Sequence, residues 1–153
     1  MRVGARIAVD VGEVRVGVAR SDTSGILATP VATYRRYKDD FTSVIALVAE
    51  LDALEVIVGL PLNMDGSEGK SARNARRWAK QLARKIAPVQ VCLVDERLST
   101  VTAHNLLHEA GRKEITHRSV VDQVAAVIIL ESALAQERAT GFPPGERIEM
   151  QER

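Results

Sequence analysis

The sequence predicts an α/β fold on a mixed five-stranded sheet with helices on both faces. Three observations predict it. The chain opens with apolar runs rich in β-branched residues, separated only by short turns. From Phe41 the apolar positions switch to helical spacing, and strand-like runs then alternate with helices. The strand runs after the switch are almost wholly apolar, as parallel strands covered on both faces are.

Element by element, Val3 to Val11 and Val14 to Arg20 read as strands joined by a turn at Gly12-Glu13. A third strand spans Ala28 to Tyr34. Phe41, Val44, Ile45, Val48 and Leu51 then mark a helix with Asp39 or Asp40 near its N-cap. Glu55 to Leu60 is a buried strand, ended by Pro61 and the loop residues Asn63 to Gly66. Ser67 to Ala87 is a long helix closed by Pro88, and Val89 to Val94 a further buried strand. Ser99 or Thr100 caps a helix that ends at Gly111. Arg112 to Arg118 is a polar loop, and Ser119 to Ala139 the last helix. The order β-β-β-α-β-α-β-α-α implies an antiparallel meander joined to parallel β-α-β units with right-handed crossovers.

The 153 residues fit one domain, expected over 1–140, with 141–153 as a loose, flexible tail holding Pro143-Pro144-Gly145. Hydrophobic residues make up 46% and charged residues 27%, which excludes disorder as the main state. No apolar run approaches the roughly 20 residues of a membrane helix, and the N-terminus does not read as a signal peptide. The single cysteine, Cys92, rules out an internal disulfide and suits a cytoplasmic protein. A net charge of +1 requires any nucleic-acid contact to come from a segregated basic patch.

Acids sit where burial is expected. Asp10 ends Ile7-Ala8-Val9, Asp95 and Glu96 follow Val91 to Val94, and Asp122 lies between Val121 and Val124. An isolated buried carboxylate costs several kcal/mol, about 3–5 when a partner is missing, unless paired or coordinated. Strand ends in such sheets gather at one edge, where ligands bind. Carboxylates meeting there repel, and a divalent cation relieves the repulsion; oxygen donors with few histidines favour Mg²⁺ or Mn²⁺ over Zn²⁺. Against this, Asp10 can cap its turn, Asp122 can face a helix dipole, and Asp95 or Glu96 can pair with Arg97 or Arg15. The joint pattern favours the metal site.

The long helix places Ala75, Trp78, Ala79, Leu82 and Ile86 on one face and Arg73, Arg77, Lys80 and Arg84 on the other, with Lys70 and Arg76 at the edges. Such a row fits a phosphate backbone, although a solvated face is the commoner origin of charge. Arg112, Lys113, His117 and Arg118 form a second basic cluster before Asp122. Gly69-Lys70-Ser71 lacks the glycine a P-loop needs, since Met64 stands five positions earlier. His104 and His108 lack the glutamate of a zincin motif, and Cys92 reads as core.

Asp10-Val-Gly-Glu-Val-Arg15-Val-Gly17-Val-Ala19 resembles the opening motif of the YqgF/RuvX family. Gly59-Leu-Pro61 to Asp65-Gly66-Ser-Glu-Gly69 resembles the second, Asp95-Glu96-Arg97-Leu-Ser99-Thr100 the third, and Val121-Asp122-Gln-Val-Ala125-Ala126 the fourth. The resemblance runs from about Arg2 to Glu137. It implies an RNase H-like fold and a nuclease that resolves Holliday junctions or processes precursor 16S ribosomal RNA. It further implies Asp10, Glu96 and Asp122 as catalytic and metal-binding acids, with Asp95 a weaker ligand candidate. Two Mg²⁺ ions (or Mn²⁺), bridged by Asp10, are the expected cofactors. Arg15 and Arg97 hold phosphate or orient acids in this reading. The partner is branched DNA or precursor rRNA, with a homodimer as an open question. Three alternatives stay open: a non-catalytic nucleic-acid-binding module, an ATPase domain using the phosphate loop that the first motif also resembles, and an inactive scaffold.

Overall fold

The computed structural model describes residues 1–99 and 118–149. Its elements are β1 (Arg6–Val11), β2 (Arg15–Ser21), β3 (Ala28–Arg35), α1 (Asp40–Leu51), β4 (Glu55–Leu60), α2 (Lys70–Ile86), β5 (Gln90–Asp95), α3 (Arg118–Thr140) and β6 (Glu146–Arg147), with a 3-10 turn at Glu96–Ser99. They form one mixed sheet in the order β3-β2-β1-β4-β5-β6. β1 pairs antiparallel with β2 and parallel with β4. β4 and β5 are parallel, while β2 and β3 are antiparallel. The expected meander and parallel units are therefore both present. The helix expected from Ser99 or Thr100 to Gly111 lies outside the described residues.

Alternation along the strands divides the core. Ile7, Val9, Val16, Val18, Val56, Val58, Val91 and Leu93 pack under α1 and α2. Ala8, Ala19, Ile57, Cys92 and Val94 face α3 through Ala126, Ile129, Leu130, Ala133 and Leu134. The small residues on this face let α3 approach the sheet closely. α1 and α2 lock together where the buried Asp40 accepts a hydrogen bond from Trp78 Nε1 at 2.9 Å, beside the stacked Phe41 and Trp78 rings. No described helix is long and apolar enough to cross a membrane.

Three expectations are corrected. β1 begins at Arg6 rather than Val3, because Gly4 adopts φ 146° and its amide donates to Thr23. α2 begins at Lys70 rather than Ser67, whose amide and hydroxyl are both taken by Asp65. The sheet has six strands rather than five, because the segment read as a loose tail returns to it. Glu146 and Arg147 pair antiparallel with β5, and Ile148 is buried. The Pro-Pro-Gly run is what makes this return: Gly145 holds φ 73° against the Leu93 carbonyl, where a side chain would collide.

Candidate active site

Asp10 occupies the next-to-last position of β1, on the face that α3 covers. Its neighbours on both sides are glycines. Gly17 of β2 pairs with it directly, and continuing the β1–β4 register by one residue sets Gly59 beside it. Both glycines are required by close approach. A methyl group on Gly17 would overlap the Asp122 carbonyl, and one on Gly59 would overlap Glu96 Oε1 and Ile129 Cδ1. The two missing side chains form a cradle into which Asp122 descends from α3 and Glu96 from the turn after β5.

The electrostatics follow from this crowding. Burial, then repulsion from Asp122, pushes the Asp10 carboxyl up to about 6, while a hydrogen bond from Glu96 pulls it partly back. Burial, then the charge and hydrogen bond of Asp10, pushes Glu96 up to about 8. Glu96 thus keeps its proton near neutral pH and donates it to Asp10. Asp122 is held differently, its Oδ2 accepting from Arg15 Nε at 3.1 Å. Arg15 thus offsets the charge of the third acid.

Asp95 ends β5 and turns from this group. Its carboxylate accepts from the backbone amide, Nε and Nη2 of Arg97, which hold it below the usual carboxylate range. Arg97 also donates to the Met64 carbonyl, tying the β4–α2 loop to the end of β5. Arg15 and Arg97 are therefore both engaged with acids.

Arg73, Arg77, Lys80 and Arg84 are exposed on α2, which packs on the opposite face of the sheet from α3. The helix starts at the strand ends near Asp10 and runs away from them, so Arg84 lies about 16 Å farther along the axis than Arg73. Arg76 pairs with Glu68 and Glu146. Arg112, Lys113, His104, His108 and His117 lie outside the described residues, as does the side chain of Arg118. Cys92 is buried, which pushes its thiol up and away from reactivity.

Among the described residues, no three carboxyl, imidazole or thiol groups converge on one point as they stand. The donor set nonetheless fits a hard cation. Two buried carboxyls already share one proton, a third acid is close enough to raise the pKa of the first, and all the donors are oxygens. A divalent ion taking the place of that proton would satisfy both members of the pair. The residues that sequence reasoning left without a role are Gly17 and Gly59. The available signal was a glycine inside a buried strand, which often marks close approach of another group.

The family model described as RuvX, Holliday junction resolvase, matches residues 4–136. The chain belongs to this family. Its relatives include proteins named "Putative pre-16S rRNA nuclease" from Thermobifida fusca, 53% identical over 97% of this chain and 98% of that protein, and from Streptomyces coelicolor, 52% identical over 98% of this chain and 91% of that protein. Among solved structures, the Thermus thermophilus RuvC in complex with Holliday junction substrate aligns over 95% of this chain and 99% of its own. The TM-score is 0.56 at 11% identity, a likeness of fold, and the RuvX chain shares that RNase H-like architecture.

Proposed function

We propose that this RuvX-family protein is a metal-dependent endonuclease of the cytoplasm that cuts phosphodiester bonds in structured nucleic acid. The observation that carries this reading is the Asp10–Glu96 contact, flanked by Asp122, inside a cradle that two strand glycines leave open. Such crowding raises carboxyl pKa values at a strand edge, a pattern concentrated at functional sites. Asp10, Glu96 and Asp122 would hold the cation, Mg²⁺ or Mn²⁺, which when bound supplies Lewis acidity and a water of lowered pKa.

The protein's own groups have separable parts. Asp10 and Glu96 release their shared proton as the site loads. Arg15 keeps Asp122 oriented and limits its repulsion of Asp10. Gly17 and Gly59 keep the acids close enough to act together. Arg73 and Arg77, at the start of α2, contact the phosphate backbone without reading bases.

The family description names Holliday junctions, and the names of the relatives specify precursor 16S rRNA. Both are structured polyanions, and both suit an acid site bordered by cations. Symmetric cutting of a four-way junction needs two sites, so that substrate would require a homodimer. The test is a cleavage assay with Mg²⁺ on a four-way DNA junction, a linear DNA duplex and an RNA spanning a 16S precursor end. Cutting of one substrate above the others assigns the class. Binding of all three without cutting would overturn the nuclease reading and leave a binding module.

A further inference from the structure

Tyr37, in the turn between β3 and α1, is 82% exposed, and its backbone takes φ 62°. A bulky residue rarely adopts this left-handed conformation, and such outliers persist where surrounding contacts hold them. The contacts here come from Arg36. Its guanidinium stacks 4.7 Å from the centre of the Tyr37 ring and its Nη2 lies 3.2 Å from the hydroxyl. Its Nη1 donates to the Gly12 carbonyl at 2.7 Å and to Asn74 Oδ1 at 3.2 Å. Arg36 thereby ties Tyr37 to both the hairpin turn two residues beyond Asp10 and the second turn of α2.

The ring stands between two hollows. One, of about 540 Å³, is lined by Tyr37, Lys70, Arg73, Asn74 and Arg77, with Glu13 its only acid. The other, of about 370 Å³, is lined by Val14, Arg35, Lys38 and again Tyr37 and Glu13. Both fall in the size range of small-ligand sites, about 300–1,000 Å³. Glu13 already meets Lys70 at 3.8 Å. Arg73 and Arg77 have no ion pair among the described residues.

We propose that the cleft between Tyr37 and the first two turns of α2 binds an unpaired nucleotide, with its base on the Tyr37 ring and its phosphate on Arg73 and Arg77. An exposed ring held flat by a guanidinium offers a stacking surface to any base, but only to a base outside a duplex. The proposal rests on the nuclease reading and narrows it: the preferred substrate carries a single-stranded segment next to the cut, running from the acids past the Gly12 turn into this cleft. The cations draw the strand in, and the ring selects for strandedness rather than for sequence.

The test compares two fluorescein-labelled substrates in chelator, so that nothing is cut. One is a blunt duplex, and the other is the same duplex with a single-stranded tail of about ten nucleotides, within the usual range of single-strand sites. Binding is measured by anisotropy for wild type, Tyr37→Ala, Tyr37→Phe and Arg77→Ala. Tyr37→Ala should weaken the tailed substrate about tenfold, in line with the loss of one stacked base, and leave the blunt duplex unchanged. Tyr37→Phe should retain wild-type affinity. Alanine keeps a Cβ, so the backbone strain is the same, and an unchanged melting temperature would show the fold intact. Equal affinity of Tyr37→Ala and wild type for the tailed substrate would overturn the proposal, as would an equal loss on both substrates. If wild type bound neither substrate, the nuclease reading would fall with it. Normal binding with no Tyr37 effect would remove this inference alone.

Discussion

At the residue scale, the site is a set of carboxyls held closer than charge allows. Asp10 is raised above its ordinary value by burial and by Asp122, and Glu96 by burial and by Asp10. A carboxyl with a raised folded pKa favours the folded state while protonated. Its contribution is complete below the unfolded value near 4 and is lost as pH rises through about 6 and then about 8. Without metal, wild-type protein should therefore lose melting temperature across that window. Asp10→Asn, which removes the charge but keeps the shape, should lose much less, and thermal melts in chelator from pH 5 to 9 measure the difference. A parallel decline in both proteins would mean that the pair carries no buried charge. The positions of Asp10 and Asp122 as acids in apolar company were legible in the sequence because burial is a property of local pattern. The sequence offered Arg97 and Arg15 as partners of Asp95 or Glu96: Arg97 does take Asp95, two residues away, whereas Arg15 takes Asp122, a pairing set by how β2 and α3 meet in space.

At the element scale, two strands and one helix are shaped around the acids. Gly17→Ala and Gly59→Ala should each cost about 1–3 kcal/mol by overpacking, and should lower cleavage more than stability alone explains. Urea denaturation and cleavage rate on the same preparations separate the two effects. If both variants were as stable and as active as wild type, the cradle would not be a constraint. Helix α2 makes a different prediction, because its cations are graded by distance from the strand ends. Arg73→Ala and Arg77→Ala should each lower the salt dependence of binding by about one charge, whereas Arg84→Ala should change it little. An equal effect at Arg84 would place the backbone along the whole helix. The face carrying these cations was legible from 3.6-residue periodicity. That the helix packs on the sheet face opposite α3 was not, because periodicity says which side of a helix is buried and not what buries it.

At the scale of the whole molecule, the sheet order sets β1 at the centre, with β2 on one side and β4 and β5 on the other. Asp10 therefore gathers partners from four other elements: Gly17 of β2, Gly59 of β4, Glu96 of the turn after β5, and Asp122 of α3. Far along the chain, β6 closes the β5 edge and buries Ile148. Ile148→Ala should reduce stability by about 2 kcal/mol with cleavage per folded molecule unchanged; loss of cleavage without loss of stability would give β6 a part in the site. The meander followed by parallel units was readable from the change of hydrophobic period. The sixth strand was not, because two residues after a Pro-Pro-Gly run carry no strand pattern, and an edge partner supplies their order. In the function proposed above, Asp10 makes this edge a metal-dependent nuclease site. Single-turnover cleavage of the preferred substrate by wild type and Asp10→Asn, with Mg²⁺ titrated from zero, tests it most directly. Wild type should cut only as Mg²⁺ is added and Asp10→Asn not at all, although both bind the substrate; equal cutting by the two proteins would mean that Asp10 holds no catalytic metal.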